Sequence, residues 1–218
     1  MPSIIEHLKK LSALQPLLQG VNIPAVNFER YGNRFDDVFN GLNRPLVTRK
    51  DVFESFNKSD EIGCLTAIAW GFPKGVRPGG GRLDNAVNGI PHFLAMLNII
   101  RNEGINEINY REINSLHGVK NGITTKILYF SKLRTENTNA NALILDSRVL
   151  KHLMKFEWDE YKNLTKTLRP SRMEPTPSEY LQFLDVTKSI SDQTNWSPDA
   201  IEMYMFSNVP GMKSPAHN

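Results

Sequence analysis

Apolar residues recur at spacings of three and four in many segments of this chain, and no stretch alternates cleanly with β-branched residues. That pattern lines one face of a helix and gives no half-buried strand, so the fold must be built mainly from α-helices. Helices are expected at about 3–18, 48–57, 60–70, 84–103, 109–116, 123–134, 147–157, 177–190 and 198–207. A chain of 218 residues suits one helical domain over residues 1–218, with two lobes and a cleft between them as the other arrangement.

Several helix starts have local causes. Thr48 with Asp51 has capping-box spacing, and so does Asn109 with Glu112, where Ile108 is placed to staple onto Ile113. Pro177 and Pro198 stand where a first-turn proline is tolerated, with Ser197 as a cap for the latter. Asp146 precedes "SRVLKHLMKF", whose Val149, Leu150, Leu153 and Met154 make one apolar face; its carboxylate is therefore placed to accept amide hydrogen bonds at a helix N-terminus. Two segments are too punctuated for helix: "GFPKGVRPGGGR" (71–82) and "LRTENTNANA" (133–142). Residues 158–177 read as a connector.

Composition removes several function classes. The longest apolar run falls far short of the roughly 20 residues of a membrane span, and the N-terminus has an early Glu6 and no small-residue cleavage site, so a cytoplasmic location is expected. A lone Cys64 excludes an internal disulfide framework and reads as a small core residue. His7, His92, His117 and His152 are scattered without metal-ligand spacing, so neither a metal site nor a cofactor is expected. Net charge is +3, which permits a polyanionic partner without demanding one. Basic residues gather at "RPGGGR" (Arg77 to Arg82), at Lys120, Lys126, Lys132 and Arg134, and at "TKTLRPSR" (165–172).

The stretch "LHGVKNGITTKILYF" (116–130) reads as helix end, turn and second helix within 109–134. Gly118 and Gly122 let the turn approach a neighbour, and amides freed at the start of the second helix, with Lys120 and Lys132 near, suit a phosphate. A plain connection between two packed helices uses the same glycines. Lys126 falls beside the stripe Ile123, Ile127, Phe130, so its stem borders apolar surface. Partial desolvation lowers an amine's pKa and makes it a candidate nucleophile, whereas a lysine snorkelling past the core edge needs no role. The polar loop is long enough to bring Asp146 back toward Lys126. A lysine and a carboxylate at one helix-terminal cleft suit cleavage of an N-glycosidic bond, because the positive charge developing on the sugar is stabilised by the carboxylate.

The hairpin, the polar loop and "ALILDSRVL" together resemble the helix-hairpin-helix DNA glycosylase superfamily, in its 8-oxoguanine glycosylase branch. "AIAWGFPKG" and "NWSPDAIEMYMFSN" are similar to bacterial proteins of that branch. The similarity covers about residues 60–210, leaving residues 1–50 as a segment of unassigned role. The resemblance implies a monomeric enzyme that flips a modified base out of DNA and excises it, with Asp146 as the catalytic aspartate and Lys126 as a Schiff-base lysine that would add abasic-site lyase activity. In the family the lysine usually follows the second hairpin glycine by two residues. Here Gly122 is followed by Ile123, Thr124, Thr125 and then Lys126, so a water-using glycosylase relying on Asp146 alone is the alternative mechanism. DNA contacts are expected from His117, Gly118, Val119, Lys120, Gly122, Arg77 and Arg82. A base pocket is expected from Trp70, Phe72, Trp196 and Phe206, although large aromatics on helices more often pack inside. The substrate is 8-oxoguanine-like DNA or, in antiviral defence, a hypermodified base of phage DNA. The competing reading is a non-enzymatic DNA-binding module that keeps the hairpin's phosphate grip.

Overall fold

The computed structural model describes residues 2–43, 45–75, 82–168 and 174–209. Among them are twelve α-helices and one two-stranded antiparallel sheet, so the chain is mainly helical as its periodicity requires. The first part of the chain contains α1 (Ile4–Leu8), α2 (Asp36–Phe39), α3 (Arg49–Lys58) and α4 (Asp60–Gly71). The strands β1 (Gly20–Asn22) and β2 (Leu46–Thr48) pair before α3, with Val21 opposite Val47. There follow α5 (Arg82–Asn88), α6 (Ile90–Glu103), α7 (Glu107–Ile113) and α8 (Asn121–Phe130). The last part holds α9 (Ser147–Phe156), α10 (Lys162–Thr167), α11 (Pro177–Asp192) and α12 (Pro198–Ser207). No helix among the described residues is long and apolar enough to cross a membrane.

Differences from the expected elements have local causes. The helix expected over 3–18 stops at Leu8, and Gln15, held out of the helical region by the following proline, lets the chain resume only as a 3-10 turn at Pro16–Leu18. The helix expected over 84–103 is two helices, broken at Gly89, where Pro91 has no amide to continue the ladder. Residues 158–177 are not a bare connector: they include a 3-10 turn at Asp159–Tyr161 and α10. Asn109 does not cap α7. Asn106 does, and Asn109 serves as the third helical residue of that capping box, while Ile108 is 78 % exposed and staples nothing.

The other expected caps form. Thr48 and Asp51 make a reciprocal box at the start of α3, and Asp146 caps α9. Ser197 stands at the cap position of α12, but its hydroxyl donates to Asp199 and caps no amide.

Helix α8 runs through the centre. Asn121 and all residues from Ile123 to Phe130 are buried, so no wet face exists and the expected core stripe is only part of the contact. Its close approach to α4 depends on Gly71, where an added Cβ would fall 2.4 Å from Ile123 Cδ1. Cys64, on α4, is a fully buried thiol of the same core. After α8 the polar loop is tied down at both ends. The Ile105 amide donates to the Arg134 carbonyl at 2.7 Å, Thr138 donates to Asp185 on α11, and the Ala142 amide donates to the Leu133 carbonyl at 2.8 Å. The chain is thereby returned along α8 as residues 143–146.

A second buried centre joins the N-terminus to α9 and α12. His152 is fully buried, its Nδ1 hydrogen-bonded to the Asn208 carbonyl at 2.8 Å and its Nε2 accepting from the Trp158 indole at 3.0 Å. That pattern fixes the neutral tautomer, and burial pushes the imidazole down to about 4. The unfolded chain therefore binds a proton that the folded chain rejects between pH 6.5 and about 4. Stability from this group is complete above pH 6.5 and falls as pH drops through that window, by roughly 3 kcal/mol in all. Chemical denaturation at pH 7.5 and pH 4.5 should show this loss in the wild type and a smaller one in His152→Gln.

Candidate active site

The Lys126 side chain runs back along α8 toward the helix start. Its Nζ donates to the Gly122 carbonyl at 2.9 Å, lies 3.8 Å from Asp146 Oδ2, and sits 5.8 Å from the centre of the Trp70 ring. The side chain is only 9 % exposed and that of Asp146 is 18 % exposed. Lys126 therefore does not snorkel. Burial pushes its amine below the ordinary lysine value; the Asp146 and Glu202 carboxylates oppose that, and the Arg49 guanidinium adds to it.

Asp146 is held by its role as a cap. Oδ1 accepts from the Arg148 amide at 2.8 Å and the Val149 amide at 3.2 Å, which leaves Oδ2 facing the lysine. The residues before it are fastened to α8: the Leu145 amide donates to Thr125 Oγ1 at 3.2 Å, and the Asn121 carboxamide donates to the Leu145 carbonyl. Tyr180 donates to the Leu143 carbonyl at 3.0 Å. Two helix starts, those of α8 and α9, thus meet with the amine and the carboxylate between them, in a field that favours negative charge.

The turn between α7 and α8 presents His117, Gly118 and Lys120 to solvent, with Val119 buried. Gly118 has a positive φ of 73°, which favours glycine, and a Cβ there would displace the Asn85 carboxamide of α5, 2.4 Å away. Arg82 is exposed and opens α5, less than one turn before Asn85. The Lys120 side chain makes no cap hydrogen bond at the start of α8. Lys120, the residue before α8, pairs its ammonium with Glu174, so a phosphate would have to displace that partner. Arg77, and most of the "RPGGGR" and "RPSR" segments, lie outside the described residues.

The four pocket aromatics separate. Trp70 is 5 % exposed and borders Lys126, with its indole N–H buried and unpartnered among the described residues. Phe206, near the end of α12, packs against the start of α9, with the Arg148 guanidinium 4.8 Å from its ring and Arg148 Nε donating to its carbonyl. Phe72 is half-buried at the end of α4. Trp196 is packed elsewhere: its indole donates to the Leu8 carbonyl at 3.2 Å and its ring meets Tyr204 edge-on.

The motifs gave no sign of a buried ion pair from distant parts of the chain. Arg49 Nη1 and Glu202 Oε2 are 2.7 Å apart, and both side chains are almost wholly buried. Glu202 is the only acid between Ala200 and Ser207 in an otherwise apolar segment, which is the one signal the sequence offers.

Residues 19–206, most of the chain, match the protein family described as "putative 8-oxoguanine DNA glycosylase OGG-like protein". The match begins within the N-terminal stretch that the motifs left unassigned. No curated protein and no solved structure matches the chain. This chain belongs to the OGG-like family, and membership supports DNA glycosylase as its class of activity.

Gly122 supplies a local test of the site. A Cβ added there would lie 3.4 Å from Asp146 Cβ and 3.9 Å from Lys126 Nζ, in ordinary contact with both. Gly122→Ala should fold with stability unchanged or raised by up to about 1 kcal/mol. Because the methyl stands beside the amine and against the Asp146 stem, it narrows the approach to both, and base release should drop at least about tenfold, as parallel thermal melts and excision assays would report.

Proposed function

We propose that the protein excises a modified base from DNA, with Lys126 as nucleophile, Asp146 as the carboxylate that stabilises the reacting sugar, and residues 109–134 as a helix-hairpin-helix element. The observation that carries this reading is a desolvated amine 3.8 Å from a capped carboxylate where two helix N-termini meet. Membership of the OGG-like family supports the same reaction class. His117, Gly118, Val119, Lys120, Gly122 and Arg82 would track the DNA backbone through amides and charge, contacts that fix register without reading sequence. Flipping the base out costs a few kcal/mol, recovered by stacking and edge contacts in the pocket. Trp70 and Phe206 are the aromatics best placed to supply them.

In the reaction the lone pair of neutral Lys126 attacks C1′ of the deoxyribose, and the electron pair of the glycosidic bond leaves with the base, which takes one of the two protons of the attacking amine. As positive charge develops on the sugar, Asp146 Oδ2 is the nearest fixed negative charge, while Oδ1 stays occupied by the α9 amides. The aminal then passes its amine proton to the ring oxygen as the C1′–O bond opens, giving a Schiff base that permits strand cleavage by β-elimination. If water attacks instead, Asp146 receives the water's proton and Lys126 serves only as charge.

The substrate is an 8-oxoguanine-like lesion or a hypermodified base of phage DNA, the latter making the protein a defence factor. The basic turn alone would also serve a DNA-binding module without chemistry. Incubation with 8-oxoguanine oligonucleotides and with glucosylated phage DNA separates these readings. Asp146→Asn should lower base release by about 10²- to 10³-fold. Lys126→Gln should abolish borohydride trapping, and wild-type trapping should rise with pH through a midpoint below the ordinary lysine value of 10.5. Abasic product from Lys126→Gln at the wild-type rate would establish the water route. Salt-sensitive binding with no base released from any substrate would leave the binding module.

A further inference from the structure

A second buried charge pair, Arg49–Glu202, stands near Lys126 around the Trp70 ring. Arg49 opens α3 and Glu202 belongs to α12, with relative exposures of 1 % and 0 %. Arg49 is fully engaged: Nη1 reaches Glu202 Oε2 at 2.7 Å, Nε reaches Gln19 Oε1 at 2.6 Å, and the guanidinium lies 5.2 Å from the Tyr129 ring and 5.9 Å from that of Trp70. Lys126 Nζ is 5.8 Å from the same Trp70 ring, so both cations sit around one indole. Glu202 Oε1, by contrast, has no hydrogen-bond partner among the described residues, nor does Trp70 Nε1.

A buried ion pair is a weak source of stability, since apolar residues of similar volume often do as well. Leaving one oxygen of the acid unpaired makes this pair costlier still. Stability therefore does not account for a wholly buried carboxylate here, whereas its field at the neighbouring amine does. The charged groups around Lys126 are Asp146 at the start of α9, Glu202 on α12 and Arg49 on α3; Trp70 of α4 and Tyr129 of α8 are neutral. One carboxylate is at the mouth and shared with helix amides. The other is wholly buried and paired with Arg49.

We propose that Glu202, clamped by Arg49, is a positioning residue that holds Lys126 as an ammonium in the resting site and sets the pH at which it becomes a free amine. The inference rests on Lys126 as the site amine, and it assigns Glu202 no contact with DNA. Its action is electrostatic, so the charge matters more than the shape. Burial raises the Glu202 carboxyl, Arg49 lowers it and the Asp146 carboxylate raises it, while Lys126 and Glu202 each favour the charged form of the other.

The test is the titration of Lys126 in the free protein, followed by NMR of the 13Cε-labelled side chain and assigned with Lys126→Met. In Glu202→Gln, which keeps the shape and an acceptor for Arg49, the Lys126 midpoint should fall by about one pH unit. Glu202→Asp, which keeps the charge, should restore most of that shift. Below the midpoint, borohydride trapping by Glu202→Gln should correspondingly rise about tenfold. Should Glu202→Gln fail to fold, wild type still decides: the Glu202 carboxyl carbon must show an inflection at the Lys126 midpoint that vanishes in Lys126→Met. A folded Glu202→Gln with an unmoved Lys126 midpoint, or a Glu202 signal with no such inflection, overturns the inference. Since the titration needs no DNA, a shifted midpoint with no base release refutes the proposed function alone. Base release with an unmoved midpoint refutes the role of Glu202 alone.

Discussion

A lysine in the middle of a helix with no exposed face is the constraint around which the molecule is arranged. Removing an ammonium from water costs several kcal/mol unless neighbours compensate. The chain compensates with a carboxylate from the start of α9 and a carbonyl one turn back along α8. Each compensation imposes structure elsewhere. The aspartate is in place only because the polar loop is anchored on the α6–α7 connection and on α11, and because Asn121 and Thr125 grip the backbone just before it. Gly71 permits the helix approach that brings the Lys126 stem against α4.

The proposed function rests on the incompleteness of that compensation. The ion pair is long at 3.8 Å, the amine is pushed down by burial, and a small gap remains beside Gly122. A fully satisfied lysine would be inert. Sites that give up local stability in this way are where chemistry is expected, and the buried Arg49–Glu202 pair is a second cost of the same kind.

What could be read from the sequence was local. The capping of α9 by Asp146 and the box of Thr48 with Asp51 depend on residues within one turn, and both form as their spacing requires. Apolar periodicity located α3, α4, α9, α11 and α12 to within a few residues. It overran at 3–18, where Pro16 intervenes, and across Gly89, where it cannot register that Pro91 starts a new ladder. At α7 two asparagines offered equivalent chemistry, and the earlier one took the cap. Arg49 and Glu202, 153 residues apart, could not be paired from the sequence: Arg49 looks like an ordinary charge at a helix start, and Glu202, conspicuous in an apolar segment, names no partner. Trp196 shows the same limit in reverse: an aromatic near a recognisable motif is committed to the N-terminal helix.

The most direct measurement is the identity of the residue joined to DNA when the protein reacts with its modified substrate under borohydride. After nuclease and protease digestion, mass spectrometry should place the reduced sugar remnant on Nζ of Lys126. An adduct on Lys120 or any other amine, with base release intact, would contradict the assignment of the buried lysine as nucleophile.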